Sequence, residues 1–242
     1  MSNPGEFSRS MITALPADLN SEQAVSLRRT IQRFPEEAIY VYSFKENRMV
    51  YADGWEEVLG YEDSEINMLS IVDITTPEYK PFSFELNDKA LMFIMSRSEE
   101  LEKYSFTIEL KKLHKNGTPV PLIVRVGVFR SENGRVTEII GRNQVSQRLK
   151  LGKVMQYAAY GPEKAEFEEE LNKKLFHYYA ISQKEKEALA MLAQGKSFKE
   201  IAHELNVTQS AIEKRIIPLY KRFEVKSLTH LVTFAMENHI LP

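Results

Sequence analysis

Near the end of this chain, helix-start signals come so close together that the segments between them can only be short helices joined by tight turns. Ser182 with Glu185, and Ser197 with Glu200, match the capping box, in which a serine accepts from the backbone N–H three residues on and a glutamate reaches back. They place helix starts at 183 and 198. Gly195 sits where the first helix must stop and turn left-handed. Asn206 and Val207 leave room only for a sharp turn before Thr208, which can cap a third helix. Ile201, Ala202 and Leu205 form the inward face of the second helix; Ala211, Ile212, Ile216, Leu219 and Phe223 form that of the third.

The outward face of the third helix carries Gln209, Ser210, Glu213, Lys214 and Ile217. Two helices joined by so tight a turn can lay one across a DNA backbone and the next into the major groove. Gln209 and Ser210 can hydrogen-bond base edges, and Ile217 can touch a thymine methyl. Lys199, Lys214, Arg215, Lys221 and Arg222 are candidates for phosphates. With Thr208 these make up the candidate DNA-binding set. From Ile181 onward there are 9 Lys and Arg against 7 Asp and Glu, a net of +2, while the preceding residues carry −4. So small an excess predicts weak DNA binding by one copy and a requirement for a dimer or partner.

The segment from Ile181 to residue 235 resembles the LuxR-type (GerE-like) helix-turn-helix domain of bacterial transcription regulators. The match runs through Glu185, Glu187, Leu189, Ala193, Gln194 and Gly195, then Lys199, Glu200, Ile201, Ala202 and Leu205, and on through Ile212, Tyr220, Val225 and Ser227. The resemblance implies an all-α four-helix domain whose third helix enters the major groove and whose fourth supports dimers. Glu213 stands where the family usually has lysine, Arg215 where it has histidine, Pro218 where it has asparagine and Glu224 where it has glycine. Pro218 removes one helix hydrogen bond, so a kink or end is expected there, at about 3 kcal/mol if unrelieved.

The 242 residues suggest two domains. Residues 1–20 read as a flexible lead. Asn20 or Ser21 can cap a flanking helix within 21–35, with Ala24, Leu27, Ile31 and Phe34 on one face and Pro35 as its stop. Residues 36–146 are strand-rich. Runs at 39–44 and 49–51 flank the hairpin signal Glu46-Asn47, and short helical pieces follow at 55–59, 64–70 and 87–96. Strands over 104–113, 120–130 and 136–143 are joined by Asn116-Gly117 and Asn133-Gly134, both read as two-residue hairpin turns. The expected architecture is an α+β domain, a five-stranded antiparallel sheet with helices on one side. Residues 147–180 are expected to form connector helices. There Phe167, Leu171, Leu175 and Tyr178 share a face, with Glu169–Lys173 and Glu170–Lys174 as supporting pairs. That stripe packs either on the chain's own domains or on a second copy, and the expected homodimer forms through flanking or connector helices.

Val50 and Tyr51, the run from Val58 to Ile66, the run from Leu113 to Leu122, and the turn around Asn133 and Gly134 together resemble a PAS sensor domain. An asparagine is usual after the second strand; here the chain reads Ala52, Asp53, Gly54. Such domains hold haem, flavin or small metabolites, or nothing. The absence of cysteine removes a flavin–cysteine adduct, thioester-linked chromophores and thiolate metal sites. No histidine lies in 54–100 to ligate haem, His114 sits beside a turn, and Met92 and Met95 read as core. No cofactor or metal is expected, and an unidentified small-molecule effector remains. Its candidate pocket is Leu91, Met92, Met95, Phe106, Ile108, Ile123, Arg125 and Ile139, with Arg125 read either as an anchor or as a solvated surface arginine.

No catalytic constellation stands out: there is no phosphate-binding glycine loop, no metal-spaced ligand set and no Ser/His/Asp arrangement, so no enzyme is expected. The acidic residues Asp53, Glu56, Glu57, Glu62, Asp63 and Glu65 read as solvated helix ends. No membrane span or signal-peptide core is seen, and the cytoplasm is the expected compartment. The expected function is a DNA-binding transcription regulator in which a PAS-like domain senses a signal or mediates dimerisation. The alternative is a protein-interaction adaptor whose helix-turn-helix no longer binds DNA.

Overall fold

The computed structural model describes residues 5–147, 151, 154–174, 180–238 and 240–241. Helix α1 (Glu6–Ser10) and helix α2 (Glu22–Thr30) precede strands β1 (Glu37–Ser43) and β2 (Arg48–Asp53). Helices α3 (Trp55–Leu59), α4 (Met68–Asp73) and α5 (Lys80–Met95) follow. Next come the long strands β3 (Ser105–Leu113), β4 (Pro119–Glu132) and β5 (Arg135–Val145). Strand β6 (Met155–Tyr160), helix α6 (Lys164–Lys174) and strand β7 (Ala180–Ser182) lead to the helical unit α7 (Gln183–Ala193), α8 (Phe198–Glu204), α9 (Gln209–Arg222) and α10 (Leu228–Glu237). No helix among the described residues is long and apolar enough to cross a membrane.

The sheet runs β2-β1-β5-β4-β3-β6-β7. Its first five members are the expected antiparallel sheet; two further strands come from what was expected to be connector helix. β6 pairs antiparallel with β3, and β7 pairs parallel with β6. A short apolar run such as Met155–Tyr160 cannot be told from helix by periodicity. The open edge of β3 decides the matter, because an unpaired row of backbone N–H and C=O groups is satisfied by a further strand.

β1 is buried on both faces. Ile39 and Val41 meet Leu27 of α2, while Ala38, Tyr40 and Tyr42 face the main core. Ser21 caps α2 by accepting from the Ala24 N–H at 3.2 Å. That helix ends at Ile31 rather than near Phe34, and Phe34 is exposed. Ile31 is already in extended backbone, at φ −90° and ψ 111°, so the helix stops before it reaches Pro35. The Asn133-Gly134 turn has both residues left-handed, as expected of a two-residue hairpin. At Asn116-Gly117 only Gly117 is left-handed, and the loop is three residues long, closed by the His114 N–H donating to Thr118 O at 2.9 Å.

Phe167 of α6 stacks on Phe93 of α5, ring centroids 4.6 Å apart, so this member of the expected stripe packs on its own domain. Leu175 and Tyr178 lie outside the described residues, as do the side chains of Glu170, Leu171, Lys173 and Lys174.

In the helical unit both capping boxes form. Thr208 caps α9 by accepting from Ala211 N–H at 3.2 Å. α7 closes in a Schellman motif through Gly195, with Gly195 N–H donating to Leu192 O and Lys196 N–H to Met191 O. Asn206 and Glu224, at φ 52° and 56°, do the same for α8 and α9. A glutamate in this conformation is strained, and glycine is not. Glu224→Gly is therefore expected to stabilise the helical unit by about 1 kcal/mol. Urea unfolding reads this, and a lowered midpoint would refute it.

Of the kink or end expected at Pro218, the end does not occur: α9 continues to Arg222. The turn beyond the proline is held by tertiary contacts. Leu219 and Phe223 are buried in the core with Ile212, Ile216 and Leu231, and Phe223 stacks on Phe234 at 5.1 Å. Burying two such side chains offsets the roughly 3 kcal/mol that the proline costs.

Candidate nucleic-acid interface and ligand cavity

The amino-terminal cap and first turns of α9 stand clear of the molecule. Thr208, Gln209, Ser210 and Lys214 are exposed, Glu213 and Arg215 are half-buried, and Lys199 on α8 and Lys221 further along α9 are exposed. Ile217 is 54% exposed on an otherwise polar face. Gln209 Nε2 donates to Glu213 Oε1 at 2.9 Å, so these two side chains are held together one turn apart. The structure thus gathers nine of the ten candidate residues on the α8–α9 surface.

Arg222 is the exception. It is buried, and its Nη1 donates to both Glu185 carboxylate oxygens, at 3.0 and 3.1 Å, and to Ala180 O at 3.0 Å. It cannot serve a phosphate. On α9 it falls on the same side as the core residues Leu219 and Phe223, and the carboxylate of Glu185 waits there. The same glutamate accepts from the Ser182 N–H at 2.8 Å, so the ion pair joins the cap of α7, the last turn of α9 and, through the Arg222 bond to Ala180 O, strand β7.

A cleft of about 430 Å³ separates α9 from α6. Lys214, Arg215 and Pro218 line one wall, and Ala165, Glu168 and Glu169 the other. Glu168 also pairs with Lys184 at 2.8 Å. Lys214, Arg215 and Pro218, in the middle of α9, therefore face the acidic side chains of α6, while Gln209, Glu213 and Ile217 are outside the cleft.

Within the first domain, a cavity of about 60 Å³ lies between α4, α5 and the inner face of the sheet. One water needs about 10–15 Å³ on this measure, so there is room for a small ligand. Leu91, Phe106, Ile108 and Ile139 line it, as expected. Met92, Met95, Ile123 and Arg125 do not. On α5 the cavity face is Ser83, Asn87, Leu91 and Ile94, a helical spacing that turns Met92 and Met95 away. On the sheet, Phe106 pairs with Val126 and Ile108 with Val124, whereas Ile123 pairs with Glu109 and Arg125 with Thr107 on the opposite face. Arg125 lies over the ring of Tyr160 there, 5.2 Å from its centroid.

The cavity's polar groups escaped the sequence reading. Lys112 is buried and donates to Ile71 O at 2.5 Å and Thr75 Oγ1 at 3.3 Å. Burial, reinforced by the charge of Lys80, pulls its amine down to about 7. Its place in the alternation Phe106, Ile108, Leu110, Lys112 was the available signal. Asn143 is fully buried; its Nδ2 donates to Ala38 O at 3.4 Å and its Oδ1 has no partner among the described residues. Ser8 and Ile12 also line the cavity, so the supposed flexible lead closes it from outside. Asp88 fastens that strap by accepting from Gly5 N–H at 2.9 Å, Ser8 N–H at 2.7 Å and Ser8 Oγ at 2.6 Å.

The acidic run is structural where partners are seen. Asp53 and Glu57 pair with Arg33, Asp63 accepts from Trp55 N–H at 2.8 Å, and Glu65 pairs with Lys115. No group of three or more metal-ligating side chains occurs among the described residues.

Residues 180–235 match the family model described as bacterial regulatory proteins, luxR family, and residues 48–143 match the PAS fold model. Among solved structures, the chain is similar to the Vibrio cholerae VqmA dimer in the absence of target DNA, at 14% identity over 92% of this chain and 90% of that one, with a TM-score of 0.36. It is similar to VqmA bound to DPO at 16% identity over 91% and 88%, TM-score 0.35. The PAS domain of a Colwellia psychrerythraea protein aligns at 16% identity over 52% of this chain and 98% of that one, TM-score 0.39. No curated protein matches the chain.

Proposed function

We propose that this chain, a PAS domain followed by a LuxR-type helix-turn-helix domain, regulates transcription as a homodimer whose DNA binding responds to a small molecule in the PAS cavity. One observation carries the reading: the start of α9 presents Gln209, Ser210, Lys214 and Ile217 outward on a helix capped by Thr208, with Lys199 beside it on α8. Hydrogen-bonding side chains in the middle and cations at the flanks suit a major groove between two phosphate rows.

The small positive excess of the DNA-binding half supports a dimer, since two copies double the neutralised phosphates. Leu228 and Met236 leave an exposed apolar strip on α10 that suits such a contact. The cavity suits a compact, mostly apolar molecule with a hydrogen-bond acceptor for Lys112 and a donor for Asn143 Oδ1. Such a ligand controls DNA binding only by favouring one arrangement of the two domains over another. The seam that can differ is the β6–β7 pairing, where β3, which lines the cavity, is joined through β6 to the strand that opens the helical unit.

Fluorescence anisotropy of the full chain with genomic duplex fragments tests the reading. Binding is expected to weaken steeply as salt rises. Lys199→Ala and Lys214→Ala are each expected to lower the slope of log K against log salt by about 1. Failure to bind any fragment at low salt, where phosphate contacts are strongest, would sink the regulator and leave the adaptor motivated by Glu213.

A further inference from the structure

Gln209, Glu213 and Ile217 follow one another at four-residue intervals, so they form a single stripe along α9. The stripe lies outside the cleft shared with α6, whereas Lys214, Arg215 and Pro218 line it. Its chemistry is unusual for a surface that meets a polyanion: an amide, a carboxylate and an exposed aliphatic side chain. Each is explained by what a major groove offers. A carboxylate only accepts, and one of its oxygens already accepts from Gln209 Nε2 at 2.9 Å. The other is hydrated in the free protein and needs a donor once a duplex displaces that water. The major groove offers two, the cytosine N4 amino group and the adenine N6 amino group. Adenine places its N7 acceptor next to N6, where it repels a carboxylate; cytosine has no acceptor on that edge. Guanine presents O6 and N7, two acceptors, and excludes a carboxylate outright. Ile217, 54% exposed, has no hydrogen-bonding group and suits the C5-methyl of thymine.

We propose that Glu213, held by Gln209, selects a cytosine in each half-site and that Ile217 selects a thymine on the same stretch of groove. This rests on the reading of the chain as a DNA-binding regulator. Lys214 and Arg215, the next two residues after Glu213, offset the repulsion between its carboxylate and the phosphates. Glu213 and Ile217 therefore add base selection to that offered by Ser210, with the cations supplying affinity.

Selection of full-length protein on a randomised duplex pool at fixed salt, followed by sequencing, tests this directly. The wild type is expected to enrich one cytosine per half-site by about tenfold to hundredfold over the other bases. Glu213→Ala is expected to flatten that position, and Glu213→Lys to convert it to guanine, whose O6 and N7 accept from an ammonium. A measurement on the wild type needs no variant to fold: replacing the selected thymine by deoxyuridine, which lacks only the methyl, is expected to weaken binding several-fold, and to have no effect on Ile217→Ala. Retained duplex binding with the same base profile in wild type and Glu213→Ala overturns the inference and leaves the regulator reading standing. An absence of binding to any duplex overturns both.

Discussion

Arg222→Ala is expected to destabilise the helix-turn-helix unit by about 3–5 kcal/mol. The substitution leaves the Glu185 carboxylate, 5% exposed in its side chain, without the guanidinium that donates to both of its oxygens. It also strips Ala180 O of its donor. A buried charge abandoned in this way is costly because water cannot reach it. The pair itself is worth far less than that figure, because both charges were desolvated to form it. A double-mutant cycle with Glu185→Leu and Arg222→Met separates the two quantities. The double variant is expected to lose 0.5–3 kcal/mol less than the sum of the singles, at about the coupling typical of contacting residues. Urea unfolding followed by far-UV circular dichroism provides the numbers. A loss below about 1 kcal/mol for Arg222→Ala would mean that the guanidinium is solvated, as expected of a surface pair.

The second large effect concerns pH. Lys112 is pulled down to about 7 in the folded protein, against roughly 10.4 for a solvated lysine. Between those values the unfolded chain binds a proton that the folded one does not, so stability rises with pH across that window. Below pH 7 both states are protonated and the folded state carries the full penalty of a buried ammonium. From pH 7 to about 9.5 the gain is on the order of 3 kcal/mol. The phenols of Tyr40, Tyr51, Tyr79 and Tyr157, all raised by burial, act only above roughly pH 10, where unfolded tyrosine ionises, and leave the window clear. Lys112→Met is expected to abolish the rise and to make the domain more stable at pH 6. Thermal unfolding at pH 6, 7.5 and 9 discriminates: parallel curves for wild type and variant would mean that the amine is hydrated in the cavity.

The candidate interface was more legible in the sequence than the candidate cavity. Nine of its ten residues sit on the α8–α9 surface because helical spacing alone assigns faces once Ser197 and Thr208 mark the starts. Arg222 was misplaced because the same spacing leaves a residue at the edge of the core face free to turn either way. Its direction was decided by Glu185, 37 residues earlier. In the cavity wall, Phe106 and Ile108 share one face of β3, whereas Ile123 and Arg125 lie on the face of β4 opposite Val124 and Val126. Slipping a strand by one residue exchanges its faces, and nothing local in a run of Leu, Ile and Val fixes the register.

What this sequence determined by itself are the features whose energy lies within four residues of their cause. Both capping boxes, the left-handed ends at Gly195 and Asn206, and the Asn133-Gly134 hairpin belong here. The remainder was settled by groups that meet only after the chain has folded. Asp88 holds Ser8 across 80 positions and turns a polar leader into a wall of the cavity. Lys112 reaches Ile71 across 41 positions and becomes an interior amine. The edge of β3 recruits Met155–Tyr160 as a strand, and the packing of Leu219 and Phe223 carries α9 past Pro218. In each case a buried backbone group, a buried charge or an apolar surface required a partner, and only the tertiary structure could supply it.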